Sequence, residues 1–209
     1  MKDGYIKVAA VTPQVTVADV KENTKEILKV IREAAARKAK IIVLPELCIT
    51  GYTCQDLFLQ EILLREAKDA LIEISNQTKG IDALIFLGMP LEYHGKLYNT
   101  AAVLNHGNIL GFVPKRYIPN YNEFYEVRHF TKGMEEPVFV RLNQEITVPM
   151  GMNLLFCCEE VPELKAAAEI CEDLWTMQPP SIAHAQAGAV VIANLSASDE
   201  VTGKEAYRR

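Results

Sequence analysis

The chain has few of the features that mark a membrane, secreted or nucleic-acid-binding protein. Its longest apolar stretches, around Ile41 to Leu44 and Ala187 to Ala193, fall far short of the ~20 residues that a membrane-spanning helix needs. The N-terminus lacks the apolar run of a secretory signal. There is no basic excess: 22 Lys and Arg stand against 27 Asp and Glu, giving a formal charge of −5, and the basic residues are scattered in ones and twos. A surface for the phosphate backbone of nucleic acid is thereby excluded. The four histidines are isolated from one another and from the five cysteines, which contain no CxxC pair. Neither a structural zinc site nor a disulfide framework fits that pattern, so the cysteines read as thiols and no metal is expected. Internal repeats, low-complexity stretches and interdomain linkers are also lacking. These absences lead to the expectation of a cytoplasmic protein that binds neither membrane nor nucleic acid.

What is present is the content of one globular domain, with 49% of 209 residues apolar and a mean hydropathy of +0.03. Lys7 to Val11 is β-prone, and apolar residues from Val20 to Ala35 then recur at helical spacing. Ile41 to Leu44 reads as a buried strand ending at Pro45, with a loop over LPELCITGYT. The pattern predicts a second helix over Leu63 to Thr78 and a strand over Ala83 to Gly88. Strands at Tyr98 to Leu104 and Ile109 to Val113 flank His106-Gly107-Asn108 as a hairpin, and Val138 to Leu142 and Ile146 to Val148 pair around Asn143-Gln144. Leu154 to Cys158, Ala166 to Ile170 and Ala189 to Asn194 complete the strands, and Pro179-Pro180-Ser181 opens a helix. Strands alternating with helices predict sheets covered by helices.

The segment from Pro114 to Gly133 has no periodicity and interleaves Tyr117, Tyr121, Phe124, Tyr125 and Phe130 with charged residues. Long non-periodic loops in compact domains are commonly functional. Three polar residues also stand where strands end, the place at which α/β proteins assemble sites: Glu46 after IIVLP, Lys115 after ILGFVP and Cys171 after AAAEI. Alone, a Glu or Lys after a proline is ordinarily a solvated loop residue, and a Cys after an apolar strand is ordinarily inert. Together they have a chemical rationale. A thiol attacks a carboxamide carbon as a thiolate or while losing its proton, so it needs a carboxylate, and a neighbouring ammonium favours the anion. Cys157 and Cys158, within an apolar strand, read as structural cysteines. Trp175 and the Pro179-Pro180 helix start read as architecture.

The segments LPELCITGYTCQDLF (44–58), PKRYIPNYNEFYEVRHF (114–130), ICEDLWTMQPPS (170–181) and GAVVIANLSAS (188–198) resemble the nitrilase superfamily of carbon-nitrogen hydrolases. Within it, they resemble the branch formed by the N-terminal glutaminase domains of glutamine-dependent NAD+ synthetases. The resemblance runs from Lys7 to Arg209. TGYxxxDLF, PNYxEFYExRxF and CEDxW with NxSAS carry the narrower likeness.

The resemblance implies an α/β fold, a four-layer α-β-β-α sandwich. It implies Cys171 as nucleophile, Glu46 as general base and acid, and Lys115 with the Glu172 N–H as donors to the oxyanion. Glu123, eight residues after Lys115, matches a second glutamate near the triad, one that orients the lysine or the substrate. Tyr52, Tyr121, Phe124 and Ser198 match positions lining a glutamine pocket, and Glu172 is suited to an α-amino group. The family domain continues past the last shared strand, so residues 1–209 are expected to be a C-terminally truncated domain lacking the ATP-dependent synthetase domain.

The expected reaction is hydrolysis of L-glutamine through a thioester, with no cofactor. The ammonia serves amidation of nicotinate adenine dinucleotide in the C-terminal synthetase domain, which uses ATP and Mg2+, and the assembly is expected to be a homo-oligomer. Three alternatives stand beside it: a free-standing nitrilase-type amidase acting on another small amide, a non-catalytic subunit that keeps the fold, and a redox-sensing cysteine protein. The last lacks a resolving thiol near Cys171.

Overall fold

The computed structural model describes residues 4–207. The chain begins with strand β1 (Val8–Ala10), helix α1 (Val20–Ala36), strand β2 (Ile41–Val43) and helix α2 (Glu61–Gln77). A meander follows: β3 (Leu84–Tyr93), β4 (Lys96–Asn105) and β5 (Asn108–Pro114), then the hairpin β6 (Val138–Arg141) and β7 (Thr147–Met150). The last part is β8 (Phe156–Cys157), β9 (Lys165–Ile170), α3 (Pro180–Gln186), β10 (Val191–Leu195) and the short α4 (Lys204–Tyr207). Helix α4 begins where the sequence predicts a helix over 204–209, of which residues 208–209 lie outside the described part.

Two sheets result. One has seven strands in the order β1-β2-β3-β4-β5-β7-β6, and the other three in the order β10-β9-β8. The period of two along each strand sorts their side chains into separate cores. Ile42, Ile85, Leu87, Met89, Ala102, Leu104 and Phe112 pack with Ile27, Ile31, Leu71 and Ile74 of α1 and α2. Their sequence neighbours Ile41, Phe86, Ala101, Val103 and Val113 pack instead with Ala166, Ala168, Ile170, Ala193 and Leu195 of the smaller sheet. Alanines at 166, 168 and 193 leave room for Phe86, which meets Phe156 edge-on at 5.9 Å. On the outer side of the smaller sheet, Glu169 of β9 accepts a hydrogen bond from Ser181 N of α3 at 3.0 Å. The layers are therefore α-β-β-α, as the sequence implied.

Several boundaries differ from expectation. Strand β3 runs through Met89-Pro90 to Tyr93, and its hairpin to β4 turns at His94 and Gly95, both at positive φ. Proline is tolerated there because β2 pairs with β3 only as far as Phe86, leaving the distal half with a strand neighbour on one side. Cys157 is exposed and Cys158 only half-buried, because β8 is a two-residue edge strand. They are not core cysteines, whereas Cys48 and Cys54 are. Trp175 is likewise 52% exposed rather than a core aromatic.

Gly88 connects the fold to the site. A Cβ at this position of β3 would lie 2.3 Å from Pro45 O and 2.4 Å from Leu47 N, the backbone on either side of Glu46. Overpacking of this kind costs about 1–3 kcal/mol. Gly88→Ala is therefore expected to lower the urea midpoint by a corresponding amount and to displace the Glu46 turn. An unchanged midpoint would show that the turn yields freely.

Candidate active site

Each functional side chain is placed by the end of a strand. Glu46 follows β2 in a turn whose next residue, Leu47, is at φ +51°. Lys115 follows β5 and is held by Lys115 N to Asn99 O at 2.8 Å and Gly133 N to Lys115 O at 2.9 Å. Cys171 follows β9 at φ +45°, a left-handed conformation that is costly for a residue with a side chain and that concentrates at functional turns. A 3-10 turn (Cys171–Trp175) begins on it, so the Glu172 N–H belongs to a first turn, where N–H groups have no partner within the helix.

The ammonium of Lys115 is fully buried and donates to Glu46 Oε1 and to Glu126 Oε1, both at 2.7 Å. Asn99 Nδ2 donates to Glu46 Oε1 at 2.7 Å and reaches Glu126 Oε2 at 3.5 Å, and Tyr52 Oη donates to Glu126 Oε1 at 2.7 Å. Ala197 N donates to the remaining oxygen, Glu46 Oε2, at 3.0 Å, and Ser196 Oγ donates to Cys171 Sγ at 3.2 Å. Asp173 ties the nucleophile turn to the lysine loop, accepting from Ile170 N at 2.9 Å, Tyr117 N at 2.8 Å and Arg116 N at 3.1 Å.

The electrostatics follow from burial and from two carboxylates sharing one cation. Burial works against the Lys115 ammonium, but Glu46 and Glu126 overturn it and hold the group above its ordinary range. Burial pushes the Glu126 carboxyl up, with Lys115 opposing and Glu46 reinforcing. Burial also pushes the Cys171 thiol up to about 11, and the Glu46 charge adds to this. Lys115, Ser196 and the Ala197 N–H act in the opposite direction. The neighbouring ammonium favours the anion, as the sequence implied, but burial and the Glu46 charge outweigh it, so attack calls for a base that removes the thiol proton. Asp173 is pushed up to about 6 by burial.

The structure brings Glu46 and Lys115 together, with Cys171 joined to them through Ser196 and Ala197. It does not place Glu123 on the lysine. That contact belongs to Glu126, eleven residues after Lys115, while Glu123 is exposed. The physical reason lies in the 3-10 turn Glu126–Arg128. Arg128 forms a bidentate pair with Asp56 at 2.6 and 2.8 Å, His129 Nε2 lies 3.0 Å from the same carboxylate, and Phe130 packs edge-on against Phe58. This anchoring turns Glu126 inward; the motif PNYxEFYExRxF holds both glutamates, and a non-periodic loop does not say which of them points in.

Tyr121 Oη donates to Glu172 Oε2 at 2.7 Å and its ring meets Phe124 at 5.7 Å. Tyr52, Phe58, Glu123, Glu126, His129 and Phe130 line a cavity of about 70 Å³. Glu123 and Phe124 also border an open depression of about 470 Å³ with Asp199, Thr202 and Lys204. Ser198 is half-buried in the segment after β10. Sequence reasoning missed Asn99, Glu126, Asp173 and Ser196. Asn99 carried a signal as an amide inside an otherwise apolar strand, and Glu126, Asp173 and Ser196 stand in the motifs PNYxEFYExRxF, CEDxW and NxSAS without having been singled out. Among the described residues, no group of three or more His, Cys, Asp or Glu is arranged to hold a metal ion, and no helix is long and apolar enough to cross a membrane.

Two stacked sheets under helices, with a carboxylate, a lysine and a cysteine at adjoining strand ends, define the class of α/β sandwich proteins with a Glu-Lys-Cys centre. The chain belongs to the carbon-nitrogen hydrolase family, whose profile matches residues 7–207. It is 37% identical over 206 residues to the glutamine-dependent NAD(+) synthetase of Mycobacterium tuberculosis, covering 99% of this chain and 30% of that protein. The crystal structure of a glutamine-dependent NAD(+) synthetase from Cytophaga hutchinsonii superposes with a TM-score of 0.85 at 31% identity, over 97% of this chain and 32% of the other. The Acinetobacter baumannii enzyme of the same name, in complex with ADP, gives a TM-score of 0.74 at 25% identity, over 95% and 34%. The chain thus spans about a third of the length of these relatives.

Proposed function

We propose that the chain is the glutaminase module of a glutamine-dependent NAD+ synthetase, hydrolysing L-glutamine at Cys171. One observation carries the reading: a buried lysine clamped between Glu46 and Glu126 beside a cysteine on a left-handed turn. As Sγ attacks the carboxamide carbon, the thiol proton passes to Glu46 and the carbonyl oxygen takes negative charge, facing Lys115 and the Glu172 N–H. Collapse breaks the C–N bond, Glu46 returns the proton to the nitrogen, and ammonia leaves. Glu46 then takes a proton from water as that water attacks the thioester, and glutamate and the thiol are regenerated.

A thiol held near 11 requires this base, since little thiolate exists at neutral pH. Glu172, Tyr121, Phe124, Tyr52, Glu123 and Ser198 form the substrate surround, the Glu172 carboxylate facing the α-ammonium. Glutamine, rather than another small amide, is supported by the names of the relatives. Residues 1–209 would then be part of a longer cytoplasmic, homo-oligomeric protein. A C-terminal synthetase domain would use the ammonia with ATP and Mg2+, whereas the hydrolysis itself needs no cofactor.

Treatment with a diazoketone analogue of glutamine should add its mass to the Cys171 peptide, and free glutamine should protect it. Cys171→Ala should abolish both the adduct and ammonia release while leaving the circular dichroism unchanged. Ammonia release that survives this substitution would remove the nucleophile assignment. Protection by other small amides but not by glutamine would favour the free-standing amidase.

A further inference from the structure

Strands β9 and β10 run parallel, with Leu195 in register with Ile170. The residues that follow them, Ser196 and Cys171, are therefore delivered side by side by the sheet. Ser196 Oγ lies 3.2 Å from Cys171 Sγ and donates to it, while the next residue's N–H donates to Glu46 Oε2 at 3.0 Å. Two consecutive residues thus touch the nucleophile and the base. We infer that Ser196 is a fourth catalytic residue, whose hydroxyl holds the Cys171 sulfur in place and stabilises the negative charge it carries on entering and leaving the thioester.

The chemistry asks for such a donor twice, and the inference rests on the amide-hydrolase reading above. On attack, the S–C bond forms with a sulfur electron pair, the carbonyl π pair moves to oxygen and the thiol proton goes to Glu46. On deacylation the C–S bond breaks, its electron pair returns to sulfur, and the proton comes back from Glu46. The sulfur is anionic or nearly so at both moments, and a hydroxyl that keeps its own proton favours the charged form. The groups around the sulfur otherwise divide. Glu46 works against the anion and Lys115 for it, while the neighbouring Glu172, Tyr121 and Tyr52 add no cation. Removing one of the few favourable contacts therefore falls directly on the thiolate fraction.

The test compares the wild-type chain with Ser196→Ala and Ser196→Thr. The first readout is alkylation of Cys171 by iodoacetamide near neutral pH, followed on the Cys171 peptide because Cys157 is also exposed. The second is ammonia release from glutamine. Ser196→Ala is expected to alkylate about tenfold more slowly, the effect of roughly one pKa unit on the thiolate fraction. Its kcat should fall by a similar factor with KM little changed, and Ser196→Thr should restore both.

Equal alkylation rates in wild type and Ser196→Ala would overturn the assignment. So would a Ser196→Thr variant as slow as Ser196→Ala, since that result reflects packing and not the hydroxyl. If the wild type releases no ammonia from glutamine, the substrate reading fails, yet the alkylation comparison still decides the role of Ser196.

Discussion

Replacing Glu46 with glutamine is expected to reduce ammonia release by roughly 10²- to 10⁴-fold, the usual contribution of a positioned general base. The same change should make Cys171 easier to alkylate. The Glu46 charge raises the thiol, after burial itself, so its removal lowers the thiol from about 11 and enlarges the thiolate fraction at any pH below that. Turnover and thiol reactivity then move in opposite directions. A merely structural Glu46 would impair both together, and parallel losses in the two assays would refute the base assignment.

Lys115→Met is the second large effect. Losing a donor aimed at the developing oxyanion costs about 10²- to 10³-fold in kcat, with less change in KM. Alkylation of Cys171 should slow rather than quicken, because Lys115 lowers the thiol value. Stability suffers as well. The two carboxylates on either side lose their shared cation in a fully buried position, and breaking a buried pair costs about 3–5 kcal/mol.

The pH dependence of that loss has a definite sign. The Glu126 carboxyl is already raised by burial, and without Lys115 it rises further. A raised carboxyl contributes its stability below the unfolded value, and this is lost as pH climbs through the folded one. The deficit in urea midpoint against wild type should therefore be smallest below the ordinary carboxylate range and grow as pH rises above it. A deficit independent of pH would mean that the buried charges are not its source.

The three catalytic candidates were legible because each follows a continuous apolar run and a strand end is an expected place for chemistry. The four layers were implied only by the family resemblance, the strand and helix pattern predicting no more than sheets covered by helices. The structure supplies their physical basis, since period-two alternation in Ile41-Ile42, Leu84 to Leu87 and Ala101 to Leu104 divides the side chains between two apolar faces. The distal half of β3 was not legible, since Met89-Pro90 reads as a break until the partner on one side is seen to be missing. Cys157 and Cys158 misled for a similar reason, because apolar neighbours do not reveal that β8 is an edge.

The sequence by itself determined an α/β class with sheets covered by helices, most of the helices and strands, and the standing of Glu46, Lys115 and Cys171 at strand ends, while the family motifs in it implied the four layers and the roles of the trio. These properties depend on local pattern and on chemistry that a residue type carries wherever it stands. Only the tertiary structure decided that Glu126 and not Glu123 meets the lysine, that Asn99 bridges both carboxylates and that Ser196 meets the sulfur. It also decided that burial and the Glu46 charge raise the thiol above its ordinary range. Each of these depends on distances between residues far apart in the chain and on the water excluded around them, and neither quantity is written in the order of residues.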